Sequence, residues 1–208
     1  GKEFAQQIAS YGFSVILVAR NKESLEDLSK SIRTMYKVET KIVIADLKQD
    51  NQIQSIIDAC QSLDVGLLVN CAGLTLSKEY LDNNIEDEID ILNVNVRAPM
   101  VLAHYFGAKM RKQKKGGIIF ISSIMAFAGA SSWANYNATK AHNLMLEGME
   151  LCNKNQNVLA KMKLKEAQTI AREGNVAGQD MRIGIVNESD ELQEETENEK
   201  EKSWWQIF

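Results

Sequence analysis

Hydrophobic residues along the first 150 positions alternate between two spacings, which predicts alternating helices and strands. Phe4, Ile8 and Tyr11 share one helical face, and Gly12 ends that helix before the uninterrupted apolar run FSVILVA (13–19). Leu25, Leu28, Ile32 and Met35 mark a second helix, KIVIA (41–45) a strand, and Ile53, Ile56 and Ile57 a third helix. VGLLVN (65–70) reads as the next strand, followed by a long helical region from about Ile85 to Arg111, the strand GGIIFISS (116–123) and a helix from about Trp133 to Cys152. Strands apolar on both faces, interleaved with amphipathic helices, predict a parallel sheet covered on both sides: an α/β, doubly wound architecture.

The pattern changes after Cys152. Residues 154–173 read as a polar, Lys-rich helix, 174–179 as a loop and MRIGIVN (181–187) as a short strand. Between Glu188 and Lys202 there are eight acidic residues against two lysines, a net of 2 − 8 = −6, with almost no apolar positions, so a disordered tail is expected. The final SWWQIF (203–208) either docks on the body or is an artefact of how the coding sequence was assembled. The expected organisation is a core over 1–152, a divergent helix plus strand over 153–187 and an acidic tail over 188–208.

Composition narrows the classes. With 45% hydrophobic and 25% charged residues over 208 positions, the chain can bury a sizeable core. A net charge of −4 gives no general attraction to nucleic acid, and no apolar run reaches the roughly 18 residues of a membrane span. Cys60, Cys71 and Cys152 are odd in number and widely spaced, and His104 and His142 have no partners at ligand spacing, so no metal site is expected. Reduced, mostly buried thiols suit the cytosol. Residue 1 is glycine, so the start of translation is expected upstream, and a membrane anchor there stays open.

Chemistry enters with Tyr136 and Lys140, a YxxxK pair that a helix places on one face, one turn apart. A free phenol has a pKa near about 10, and a neighbouring ammonium favours its phenolate, which is what acid–base work at neutral pH requires. The spacing alone is common, and Tyr105 and Lys109 form a second copy. Position separates them. Thirteen residues before Tyr136 stands Ser123, at the end of an apolar strand, whereas thirteen before Tyr105 stands Leu92, which offers no hydrogen bond. Ligands of open parallel sheets sit beyond the carboxyl ends of the strands, where Ser123 is expected. Tyr105 therefore reads as structural.

These residues fall into an ordered series: VILVAR (15–20), AD (45–46), NCAG (70–73), NVNV (93–96), ISS (121–123) and YNATK (136–140). Over about residues 1–150 the series resembles the short-chain dehydrogenase/reductase family, in the subgroup whose catalytic positions are Asn, Ser and YxxxK. The resemblance implies a Rossmann-type sheet and an NAD(P)(H)-dependent oxidoreductase acting between a carbonyl and a secondary alcohol. By the same resemblance, Tyr136 exchanges the proton with the substrate oxygen, and Lys140 lowers its pKa and holds the nicotinamide ribose. Ser123 binds the substrate oxygen, and Asn95 anchors a water linking Lys140 to solvent. Asn70, Ala72 and Gly73 match the turn that approaches the cofactor, Asp46 the acid that meets adenine, and Gly1 the last glycine of the phosphate-binding loop. Taken alone, Ser123 and Asn95 read as ordinary polar positions and Asp46 as a helix cap. Arg20, with Lys22 close by, stands where an NAD-preferring member carries an acid, so NADP(H) is expected, and reduction with it.

Departures from the family pattern carry their own expectations. The resemblance implies a first strand and glycine-rich loop ahead of Gly1, so the sheet is expected to lack its first, central strand, leaving two unpartnered edges and an unstable monomer. Residues 154–179 read as an insertion, and the Pro-Gly pair expected after the sixth strand is replaced by Glu188 and Ser189. Met125, Phe127 and Trp133 suggest a lipophilic ketone or aldehyde, or else packing. The family usually forms homodimers or homotetramers through helices near 93–112 and 136–152. A catalytically inactive, truncated homologue that keeps only a binding or subunit-association role is the alternative.

Overall fold

A computed structural model describes residues 1–76, 78–127, 131–146 and 204–207. Helices α1 (Lys2–Ser10), α2 (Lys22–Tyr36), α3 (Asp50–Ala59), α4 (Ile85–Leu92), α5 (Ala98–Gln113) and α6 (Ala134–Leu146) alternate with strands β1 (Ser14–Ala19), β2 (Thr40–Ile44), β3 (Val65–Asn70) and β4 (Gly117–Phe120). These strands are parallel and apolar on both sides because each side carries a layer of helices. The strand period of two divides the core: Val15 and Leu17 join Ala5, Ile8, Leu25 and Ile32 on one face, while Ile16 and Val18 join Ile53, Ile56, Leu102 and Phe106 on the other. Gly12, at φ +84°, ends α1 as the sequence predicts.

The long helix expected from Ile85 to Arg111 is divided. A π-helical turn spans Asn93–Arg97, and α5 then starts with Pro99 in its first turn, where a missing N–H costs least. The turn centres on Asn95, whose side chain is fully buried and bonded across to two other segments.

The centre of the sheet differs from expectation. A fifth strand, β5 (Trp204–Ile207), lies between β1 and β3, and the order is β2-β1-β5-β3-β4. It runs parallel to both neighbours, with Val15 opposite Trp205 on one side and Leu68 opposite Gln206 on the other. The register slips by one residue at Gly66, between Val65 and Leu67, the signature of a bulge. The predicted pair of unpartnered edges is thus corrected: the last residues of the sequence fill the gap, so the reading of 188–208 as a tail does not hold for 204–207. The physical reason is that β1 and β3 each present a row of buried N–H and C=O groups, and a short aromatic and β-branched segment suits a doubly paired strand. The segments predicted over 154–187, the acidic stretch 188–202 and Cys152 lie outside the described residues.

A strand paired on both sides tolerates no proline, because one ladder N–H disappears and a buried carbonyl loses its donor. Gln206→Pro should therefore cost more than about 2 kcal/mol, and removal of residues 204–208 more still, by urea denaturation. Unchanged midpoints for both would contradict a central position for this strand.

Candidate active site

The carboxyl ends of the strands open onto a cleft of about 840 Å³. Its lining includes Gly1 at the start of α1, Arg20 just past β1, Asp46 past β2, and Ala72 and Gly73 past β3. Five residues expected around a cofactor from separate parts of the sequence therefore share one cavity. Asp46 also shapes its own turn: its carboxylate accepts from the Lys48 N–H at 3.1 Å, and its N–H donates to Gln52 Oε1 at 2.6 Å. Asp46 thus lines the cleft and closes its own turn, but it does not cap a helix, since α3 begins only at Asp50 after Gln49. Lys22 does not line the cleft; it begins α2 and pairs at 3.6 Å with Glu26 on the exposed surface. Asn70 is buried behind the turn, and its side-chain NH2 has no partner among the described residues.

Beyond Gly73 lies the second half of the site. Lys140 is 4% exposed, and its ammonium donates to the Ile121 carbonyl at 2.8 Å, just past β4. The same nitrogen sits 5.7 Å from the centre of the half-buried Tyr136 ring, as one turn of α6 dictates. A Cβ on Gly73 would meet Lys140 Nζ at 3.5 Å and Asn95 Oδ1 at 3.8 Å, so the turn after β3, the π turn and α6 converge here. Burial is the main cause holding Lys140 below the ordinary lysine value, and it pushes the neighbouring Cys71 thiol up. Cys60, deep in the core, is raised to about 11 by the same desolvation and stays a thiol at neutral pH.

Asn95 acts as a bracket. Its Oδ1 accepts from the Leu74 N–H at 2.7 Å, and its Nδ2 donates to the Leu74 carbonyl at 2.9 Å and to Thr139 Oγ1 at 3.0 Å. Both amide hydrogens are thereby used, leaving one carbonyl lone pair for any further role. Thr139 in turn donates to the Tyr136 carbonyl at 2.7 Å. Ser123 lies on the turn leaving β4, its Oγ accepting from Met125 N–H at 3.2 Å, and residues 124–127 pack against α6. Ser122, adjacent in sequence, instead donates to the Lys140 carbonyl at 2.8 Å.

The second YxxxK pair has the same internal geometry: Lys109 Nζ is also 5.7 Å from the Tyr105 ring. Its setting differs. Lys109 donates to the carbonyls of Gln61 and Leu63, before β3 and so at the opposite end of the strands from the cleft. Spacing creates the pair, and placement along the sheet decides whether it meets a ligand. Among the described residues no group of three potential metal ligands occurs, and no helix is long and apolar enough to cross a membrane.

Sequence reasoning passed over Glu88, Asn83 and Asn135. Glu88 is buried on α4 while Ile85, Ile89 and Leu92 of the same helix face outward, an inversion of the usual pattern. Glu88 and Ile91 share a face about a quarter turn from that apolar stripe, and only the packing of α6 shows which face is inside.

Comparison with known proteins agrees with this geometry. The family described as short chain dehydrogenase matches residues 1–158. The human protein named inactive hydroxysteroid dehydrogenase-like protein 1 is 37% identical over 145 residues, which cover 68% of this chain and 44% of that protein. The chain thus spans less than half the length of that relative. A solved 7beta-hydroxysteroid dehydrogenase structure is 31% identical with a TM-score of 0.69, covering 71% of this chain and 57% of that one. The short-chain dehydrogenase from Sphingobium yanoikuyae in complex with NADPH is 27% identical with a TM-score of 0.67, over 69% of this chain and 57% of that one. A parallel Rossmann-type sheet, the ordered motifs along its carboxyl edge and a family match over three quarters of the sequence lead to one conclusion: this chain belongs to the short-chain dehydrogenase family.

Proposed function

We propose that this chain carries the catalytic site of an NADP(H)-dependent reductase of lipophilic ketones or aldehydes. The observation that carries the reading is Lys140, an ammonium buried to 4% exposure beside the Tyr136 ring at the ligand edge of the sheet. A lysine held there against its desolvation cost has a use in stabilising a phenolate. Tyr136 gives its hydroxyl proton to the substrate oxygen as that oxygen gains charge, and Ser123 donates a hydrogen bond to the same atom. Asn95 fixes Leu74 and Thr139, and so the distance between the cleft wall and α6. When bound, the nicotinamide supplies the hydride, with the substrate carbonyl reduced to the alcohol.

The residues present fit such a cofactor. The cleft is large enough, glycine at position 73 keeps its wall flat beside Lys140, and the start of α1 offers free backbone N–H groups to a pyrophosphate. Arg20 favours NADP(H), since a guanidinium pairs with a 2′-phosphate and no acid stands in its place. Ile124 and Trp133 are exposed near Tyr136 and Phe127 is 71% exposed, which supports an apolar substrate, as does the hydroxysteroid named for the solved relative. The outward stripe Ile85, Ile89, Leu92 and Met100 on α4 and α5 supports association of like subunits. A second reading, binding or subunit association without turnover, is favoured by the human relative's being named inactive.

Turnover decides between them. NADPH consumption with a panel of ketones and aldehydes should be measurable, and Tyr136→Phe should lower kcat by about 10²- to 10⁴-fold while cofactor still binds. Tyr105→Phe should change little; comparable losses in two folded variants would reverse the assignment of the pairs. Arg20→Asp should move the NADPH to NADH preference by at least about tenfold, roughly one charge-assisted hydrogen bond. Equal use of both cofactors by the native protein would contradict that role.

Lys140 also ties the site to stability. Its folded pKa lies below the ordinary 10.5, so in the interval just below 10.5 the unfolded chain binds more protons than the folded one. Stability therefore rises with pH across that interval, and the penalty is fully present only below the folded pKa. Lys140→Met should flatten this rise while abolishing turnover, as read by denaturant melts at several pH values. An unaltered slope would show that burial of the ammonium is not the source.

A further inference from the structure

Glu88 is a carboxylate at 5% exposure, and no ion pair to it occurs among the described residues. Its charge is met by neutral amides. Oε1 accepts from Asn83 Nδ2 at 2.6 Å, and Oε2 from Asn135 Nδ2 at 2.7 Å. The same Asn135 nitrogen donates its other hydrogen to the Glu88 main-chain carbonyl at 2.9 Å. A main-chain oxygen only accepts, so the orientation of the Asn135 amide is fixed by two acceptors on one residue. Asn135 immediately precedes Tyr136 in the first turn of α6, and the anion also complements the positive end of that helix.

One helical rod therefore grips α6 at two points. Asn95 in the π turn holds Thr139, and Glu88 in α4 holds Asn135, so the two contacts bracket Tyr136 at i+3 and i−1. Packing alone does not call for this. An apolar residue at position 88 would seal the interface with no charge to desolvate, and α4 has isoleucines that it leaves facing outward. We infer that Glu88 is a positioning residue for Tyr136, acting through Asn135 to set the angle at which the phenol enters the site. The inference rests on the proposed reductase reading.

Glu88→Met tests it with little change of size. It removes both carboxylate acceptors, so the Asn135 amide keeps only the main-chain carbonyl of residue 88 and loses its side-chain tie to α4. In the purified protein, Glu88→Met should lower kcat per folded molecule about tenfold with the KM for NADPH within about twofold, since only alignment is lost. Asn135→Ala should do the same, and it carries the test alone if Glu88→Met does not fold. The double variant should also lose about tenfold rather than a hundredfold, because both changes break one link. Additive losses, an unchanged kcat in either single variant, or an effect confined to melting temperature would overturn the inference while leaving the reductase reading intact. A native protein that reduces no carbonyl compound would overturn both.

Discussion

A lysine ammonium taken out of water must be held by something, and the geometry around Lys140 is organised by that requirement. Its one direct acceptor among the described residues is the Ile121 carbonyl just past β4, which ties α6 to the end of a sheet strand. Gly73 closes on it from the turn after β3, and Ser122 holds the Lys140 main chain from below. Two strand ends, those of β3 and β4, therefore need to be in register before the cation is satisfied. Because a buried charge without partners costs several kcal/mol, this region cannot relax independently of the sheet. The same constraint places Tyr136, one turn earlier, where its ring lies against the ammonium.

The sheet meets a comparable constraint of its own. β1 and β3 are separated by one strand width, and each needs its backbone groups paired across that gap. The segment Trp204–Ile207 supplies both ladders at once, and the bulge at Gly66 absorbs the mismatch in register between its two neighbours. In this arrangement the strand that joins the two halves of the sheet and the helix α1 beside it come from opposite ends of the sequence. The cleft at the carboxyl edge depends on that join, since Arg20 lies past β1 and Gly73 past β3.

Much of this was legible beforehand. Two-faced apolar runs such as VILVA and GLLVN can only be interior parallel strands once helices alternate with them, and their bounds match closely. The helix face of Tyr136 and the strand-end position of Ser123 follow from periodicity and match, whereas the roles given to them come from the resemblance alone. Tyr105 and Lys109 show the limit of spacing: the pair has the same 5.7 Å geometry and differs only in the end of the sheet it occupies. Asn95 could be named by resemblance but not its π turn, which arises from side-chain bonds to Leu74 and Thr139, 21 and 44 residues away. Glu88 was illegible for a related reason. Its charge suggests solvent, and only the partner amides on Asn83 and Asn135 make burial tolerable. The central strand was missed because a four-residue segment after an acidic stretch carries no periodicity to read, and its place is set entirely by distant edges.

The most direct measurement follows the hydride itself. The protein would be incubated with NADPH deuterated at the transferable position of C4 and a lipophilic ketone, and the alcohol analysed by mass spectrometry. If Tyr136, Lys140 and Ser123 form a reductase site, the alcohol carries one deuterium at the former carbonyl carbon, and Tyr136→Phe yields almost none. An alcohol that is never formed, or one formed equally by the native protein and by Tyr136→Phe, would contradict the assignment.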